Sequence, residues 1–334
     1  MGPGWILAEW SPAVNGSAAT SLFLIDPAGG RYLIDTFPAN PTGSAPTNLA
    51  GWSGDGQRAL LTGSSGASQT VAVLTLRTLV TTQFGLGANA GSAGFTTPAG
   101  LAITATVGTG AQAHIARFGL TGTLEMSYPA SLPGGAGAYG GSAIYSPDGT
   151  ELALGVTNGI VLMSNTGRTE RFLPVKPSVE FCTPRRWWTP SELLVSCAPD
   201  GSGTLQLWLV PTSGAAPTAL TASPPANGDS GDLDAWQLAG GTYVEDAGGC
   251  GYVYLAKLQP SGLTTPVAVP GVPPGDSTVI RGAQGDRLAI DAQPACHQGA
   301  TLLWFTPATN SETPVLGGTV NGGTVENAIL FGES

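Results

Sequence analysis

Along most of this chain apolar and polar residues alternate with a period of two, and clusters of Gly, Pro, Asn, Asp and Ser break the alternation into short runs. The stretch from Tyr145 to Val156 shows the unit. Pro147 presets φ at the first central position of a turn, Asp148 can bond its own backbone, and Gly149 accepts a positive φ. The run that leaves this turn, Glu151 to Val156, places Leu152, Leu154 and Val156 at every second position, which predicts a strand. No segment carries a helical period of any length, and none reads as a domain linker.

The same hairpin returns along the whole chain. Its first strand ends at Trp52, Thr96, Tyr145, Trp188, Leu238 and Ala283. That is a repeat of about 46 residues, the length of a four-stranded propeller blade. Each unit continues with a strongly apolar third strand, as in Thr70 to Leu76, Ile160 to Met163 and Thr301 to Phe305. A weaker fourth strand follows, such as Thr169 to Leu173 or Thr218 to Thr221. Only the inner strands of a blade are covered on both faces, so a strong interior and a weak edge are expected.

At the N-terminus, Trp5 to Trp10 reads as a second strand, Ser21 to Ile25 as a third and Arg31 to Asp35 as a fourth. The missing first strand stands at the other end of the chain, in Thr324 to Phe331. The reading is therefore an all-β, seven-bladed β-propeller over residues 5–334, closed by strands from both termini in one blade. Six or eight blades stay open, because the unit around Phe95 to Pro129 is diffuse. Met1 to Gly4 read as a remnant outside the domain.

Composition narrows the class. Gly (50) and Pro (27) are used at about twice the ordinary rate, but 42% hydrophobic residues and eight Trp exclude a disordered chain. Charged residues make up only 10%, so the surface must be built largely from Thr, Ser, Asn, Gln and Gly. A net charge of −10 with 12 Lys and Arg offers no concentrated positive face, which excludes nucleic acid as a partner. No apolar window is long enough to span a membrane. The start has neither the basic nor the apolar region of a leader and reads as trimmed, so tethering to a membrane protein stays open. Four cysteines without metal-type spacing favour an extracytoplasmic location, periplasmic, cell-surface or secreted.

Tyr145, Ser146, Asp148, Gly149, Leu152 and Ala153, echoed in part by Trp52, Ser53, Asp55, Gly56 and Leu60, resemble the WD40-like repeat of TolB-type propellers. The likeness covers nearly the whole chain as architecture, although the other copies have lost Asp or Pro. It implies a periplasmic or surface interaction domain rather than a known reaction.

Candidate chemistry lies where the repeats break their pattern. Cys182 and Cys197 are equally far from a turn centred between Thr189 and Pro190. With an even loop and no bulge they face each other across antiparallel strands, with Cα atoms about 4.5 Å apart, within disulfide reach; two buried free thiols are the alternative. Cys250 and Cys296 occupy equivalent loops of consecutive units, which suggests a second, blade-to-blade disulfide. His297, beside Cys296, completes no zinc spacing.

Arg185, Arg186 and Trp187 could grip an anionic or sugar ligand by bidentate bonds and stacking. The alternative is arginines lining the channel or pairing with acids, with Trp188 as the anchor of its blade. Asp229, Asp232 and Asp234 gather oxygen ligands that could bind Ca²⁺, or form a solvated acidic turn. Glu245, Asp246 and Asp291 sit near the ends of second strands, although neighbours such as Glu245 and Asp246 point to opposite faces. Neither Gly-x-Ser-x-Gly nor a Walker loop occurs, and only His114 and His297 could serve as a histidine base.

No catalytic residue, metal or cofactor is assigned on this reading. The expected function is a non-catalytic extracytoplasmic binding or sensor module that recognises a protein, peptide or glycan on one face. The alternative is a propeller hydrolase or lyase with a metal or acid pair at the channel mouth, drawing on Asp246 and Asp291.

Overall fold

The computed structural model describes residues 1–12, 19–40, 42–65, 68–96, 99–109, 112–130, 132, 143–175, 179–199, 204–223, 231–294 and 299–332. Their strands form seven antiparallel four-stranded sheets, the blades of a ring. From blade 1 to blade 7 the inner strands are Thr324–Leu330, Asn48–Trp52, Ala93–Phe95, Ala143–Tyr145, Val179–Thr189, Asp232–Leu238 and Ser277–Gln284. These strands pack on one another around the axis from blade 6 through 7, 1 and 2 to 3, and again from 4 to 5. Blade 1 is closed as the alternation predicts: the C-terminal strand Thr324–Leu330 pairs antiparallel with Ile6–Ser11 near the N-terminus. The diffuse unit is a full blade, with strands Ala93–Phe95, Ala102–Val107, His114–Gly119 and Leu124–Ser127. That settles the count at seven.

Strand alternation explains why the ring holds together. Along the second strand of blade 5, Glu192–Pro199, Leu193 and Val195 pack toward blade 4 against Ala153, Ile160 and Leu162. Leu194, between them, packs toward blade 6 against Ala235 and Val244. The same division recurs around the ring, so each of the seven junctions holds one apolar cluster among the described residues. The junction of blades 5 and 6 holds the smallest, with only Leu194, Leu207, Ala235 and Val244 buried in it. Trp188, Leu209, Leu220 and Leu258, all only partly buried, complete it.

The recurring turn is structural. Asp148 Oδ1 accepts bonds from Ser146 Oγ at 2.6 Å and from the N–H and hydroxyl of Thr150, while Gly149 has φ 72°. Ser53, Asp55 and Gly56 repeat the arrangement, again with φ 72° at the glycine. These bonds hold the carboxyls of Asp148 and Asp55 below the usual carboxylate range; at Asp55 the burial cost that opposes them is outweighed. The motif therefore spends its polar groups on itself.

Inner strands carry a second repeated feature. Those of blades 1, 2, 5, 6 and 7 each contain an extra residue opposite the second strand, Glu326, Ala50, Arg185, Leu233 and Arg281, and that of blade 5 has two more, Glu180 and Trp188. A bulge leaves its extra residue outside the ladder and turns the strand locally.

The disulfide confirms one expectation by an unexpected route. Cys182 and Cys197 are opposed and bonded, with Cα atoms 4.2 Å apart. The turn, however, centres between Pro190 and Ser191, one residue later than the symmetric reading, because Thr189 pairs with Glu192. Bulges at Trp188 and Arg185 absorb the offset and restore the register before Cys182 is reached. Cys250 lies in the single turn Gly249–Gly251, whereas Cys296 and His297 fall outside the described residues, as does the second disulfide.

Both bonded cysteines are buried, and the bridge closes a sequence separation of 15 residues. Replacing Cys182 and Cys197 together with Ala is expected to lower the unfolding free energy by about 3 kcal/mol, measured by urea denaturation. An unchanged midpoint would show that the cross-link adds nothing to the apolar cluster around it.

Candidate functional site

Acidic residues in second strands do two jobs at the bulges. Glu9, in Ile6–Ser11, is 3% exposed and accepts the backbone N–H of Leu49 in blade 2 at 2.7 Å. Glu245, in Gly241–Ala247 of blade 6, is 8% exposed and accepts the N–H of Ile280 in blade 7 at 2.5 Å. Leu49 and Ile280 are equivalent, each immediately before the extra residue of its inner strand. An inner strand has a partner on one edge only, so a buried N–H there needs an acceptor from the neighbouring blade. Burial pushes the carboxyls of Glu9 and Glu245 up to about 7 each, against the pull of the accepted N–H.

The two clasps differ in their surroundings. Opposite Glu9 in the ladder stands Asn327, whose amide donates to the carbonyl of Leu49 at 2.7 Å; the Glu326 carboxylate adds a like charge. Opposite Glu245 stands Asp234, and the charges acting on Glu245 are Asp234, Arg281 and Arg186. Arg186 forks onto Asp234, with Nε to Oδ1 at 3.1 Å and Nη2 to Oδ2 at 2.7 Å, and its guanidinium lies 4.1 Å over the Trp236 ring. Arg281 donates from Nε to Oδ2 of Asp291 at 2.5 Å. Asp291 is 2% exposed, its Oδ1 has no hydrogen-bond partner, and burial raises its carboxyl above the usual range against the pull of Arg281. Blades 5, 6 and 7 thus bring two arginines, two aspartates and a buried glutamate together at the axis.

This arrangement regroups the sequence candidates. Arg186 and Asp234, 48 positions apart, are one ion pair, not members of separate sites. Asp232 and Asp234 belong to the inner strand Asp232–Leu238 and not to a loop; Asp232 is buried, and Asp229 lies outside the described residues. Among the described residues no three His, Cys, Asp or Glu side chains are placed to hold a metal ion. Trp187 packs on the core between blades 4 and 5 and is not available for stacking. Trp188 is not the buried anchor of its blade either: as a bulge residue it lies only partly buried, packed toward blade 6. Glu245 is linked to Asp291 through Arg281.

Arg281, Trp236 and Glu9 went unread in the sequence. An acid inside the apolar run Ile6, Leu7, Ala8, Glu9 is the one signal that marked any of them. His114 bonds the carbonyl of Gln112 through Nδ1, outside this cluster. A cleft of about 330 Å³ between the outer strand of blade 4 and the turns of blade 5 is lined by Arg171, Thr189, Ser191, Glu192 and Thr212, and shares no residue with the axial cluster.

The sign of the pH dependence follows from Glu9 and Glu245. Both are raised in the folded chain from 4.5 to about 7, so between those values the folded state binds protons that the unfolded state has lost. Stability therefore falls as pH rises through that window, by at most about 3 kcal/mol for each carboxyl. Asp55 and Asp148 are lowered, and their contribution is lost only in more acidic solution. Urea midpoints taken from pH 4.5 to 7.5 should fall for the native chain and fall less for the Glu9→Gln, Glu245→Gln double variant. A native midpoint that is flat or rises would contradict the assignment.

No family model and no curated protein matches the chain, so the TolB-type likeness stands only as the seven-bladed ring. Solved structures do share that ring. One is a puromycin-hydrolysing peptidase of Mycobacterium tuberculosis, with TM-score 0.54 and 14% identity over 98% of this chain and 53% of that one. Another is the oligogalacturonate lyase of Vibrio parahaemolyticus, with TM-score 0.57 and 13% identity over 94% and 86%. A third is a dihydro-heme d1 dehydrogenase, with TM-score 0.57 and 11% identity over 98% and 75%. The chain spans about half the length of the peptidase it matches. At these identities the likeness carries the fold. Since the proteins sharing it are named as peptidase, lyase and dehydrogenase, the expectation of a non-catalytic binding or sensor module is corrected toward the enzyme alternative.

Proposed function

We propose that this chain is a propeller enzyme, a hydrolase or lyase, whose proton transfers run through Glu245 at the axis between blades 6 and 7. One observation carries the reading. A buried carboxyl is held at about 7 within the field of Arg281 and Arg186, and Arg281 also binds a second buried acid, Asp291, which has an unpartnered oxygen. A group titrating near neutrality can take a proton and return it within one turnover. The guanidiniums beside it are fixed donors for negative charge developing on a substrate oxygen. This is the acid pair at the channel mouth of the enzyme alternative, with Glu245 in the place first given to Asp246.

Two further points support the reading. The chain spans 86% of the length of the lyase that shares its ring, so a ring of this size is most of that protein. The Cys182–Cys197 disulfide is compatible with an extracytoplasmic enzyme, and among the described residues no helix is long and apolar enough to cross a membrane.

Glu9 provides an internal control, since it makes the same bond at the same level of the ring and has the same raised carboxyl, without arginines in its field. With oligogalacturonate and puromycin as trial substrates, turnover should show a limb in its pH–rate profile near 7. Glu245→Gln should lower kcat by about 100-fold or more, and Glu9→Gln should leave it within about twofold. Equal losses in the two variants, or full activity in Glu245→Gln, would reject Glu245 as the proton-transferring group.

A further inference from the structure

Arg185 is the feature that neither the core nor the acid–base cluster explains. It is the extra residue in the inner strand of blade 5, on the strand that borders the axis. The apolar clusters of that blade are built by Cys182, Leu193 and Val195 on one side and by Leu194 on the other. The side chain is partly buried, and its Nε is enclosed without a hydrogen-bond partner.

The other arginines are accounted for. Among the described residues Arg58, Arg117, Arg186 and Arg281 pair with carboxylates, Arg171 donates to the carbonyl of Thr212, and Arg287 stacks on Trp304. Arg31, Arg77 and Arg168 are exposed to water. Among the described residues Arg185 combines a partly buried side chain, an enclosed Nε without a hydrogen-bond partner and no ion pair. A guanidinium stays charged at any working pH, and withdrawing it from water without a partner is costly. Such a group is kept ready for an acceptor that arrives from outside.

Its neighbours make that acceptor anionic. Arg281 occupies the equivalent bulge position two blades on, and Arg186 follows Arg185 in the chain. Arg186 pairs with Asp234 and Arg281 with Asp291, and burial weakens Glu245 and Asp291 as anions.

We propose that Arg185 is a binding residue for an oxyanion, the carboxylate or phosphate of a substrate drawn to the axis beside blades 5 to 7. The planar fork of a guanidinium suits either group, and a neutral isostere of the same shape leaves it unsatisfied. As a binding site the proposal stands on Arg185; that its ligand is a substrate rests on the enzyme reading above.

Calorimetric titration separates the two. The probes are trigalacturonate, its neutral methyl ester and inorganic phosphate, each against the native chain, Arg185→Gln, Arg185→Lys and the exposed control Arg31→Gln. Trigalacturonate or phosphate should bind the native chain and Arg31→Gln alike, lose at least tenfold in affinity with Arg185→Gln, and lose less with Arg185→Lys; the ester should not bind. Whichever anion binds assigns the oxyanion as carboxylate or phosphate. Binding that survives Arg185→Gln, equal binding of the ester, or binding of neither anion overturns the site. Anion binding retained in Glu245→Gln with turnover lost supports both readings. Anion binding with turnover unaffected by Glu245→Gln leaves the Arg185 site standing and removes the acid–base assignment.

Discussion

A blade of this ring has two faces, and both must be buried. Because successive side chains of a strand point to opposite faces, each strand serves two junctions at once, as Leu193 and Val195 face blade 4 while Leu194 faces blade 6. The core is therefore a closed series of seven thin layers, each shared by two neighbours. A blade taken alone would expose an apolar face, so stability belongs to the ring, and the pairing of Thr324–Leu330 with Ile6–Ser11 closes it.

Inner strands are where this plan meets a difficulty, since their axial edge has no strand to pair with. The bulges concentrate the difficulty at one level of the ring, and the protein answers it with carboxyls from the preceding blade. Glu9 and Glu245 accept the N–H groups of Leu49 and Ile280, and burial there raises both carboxyls. One architectural need thus produces two acids with the same shift. What separates them is the company each keeps. Asn327 holds the carbonyl of the same residue that Glu9 serves, so that clasp is closed. Asp234, in the matching place beside Glu245, turns to Arg186, so the second clasp opens onto an arginine-rich axis.

The junction between blades 5 and 6 shows why a site can form here. Its buried apolar cluster is the smallest of the seven, and across it Arg186 of blade 5 reaches Asp234 and Trp236 of blade 6. Arg186 is satisfied by Asp234 and Trp236, whereas Arg185, one residue earlier, has no partner. Of two adjacent arginines at this bulge, one is paired with Asp234 and the other keeps an enclosed Nε without a partner.

The period-two pattern and the turn at Tyr145 determined the strand order, the blade length and the closure of blade 1, because these depend on local alternation and local turn chemistry alone. The facing of Cys182 and Cys197 was legible for the same reason, although two bulges and a shifted turn cancelled to make it true. Bulges follow from how a strand is seated against its neighbours, and no pattern in Pro184, Arg185 and Arg186 announces one. Only the tertiary structure could join Arg186 to Asp234 and Glu245 to Arg281, since each pair comes from different blades and meets through ring closure. The shifts of Glu245 and Asp291 were illegible too, because desolvation is set by what surrounds a carboxyl in space and not by its neighbours along the strand.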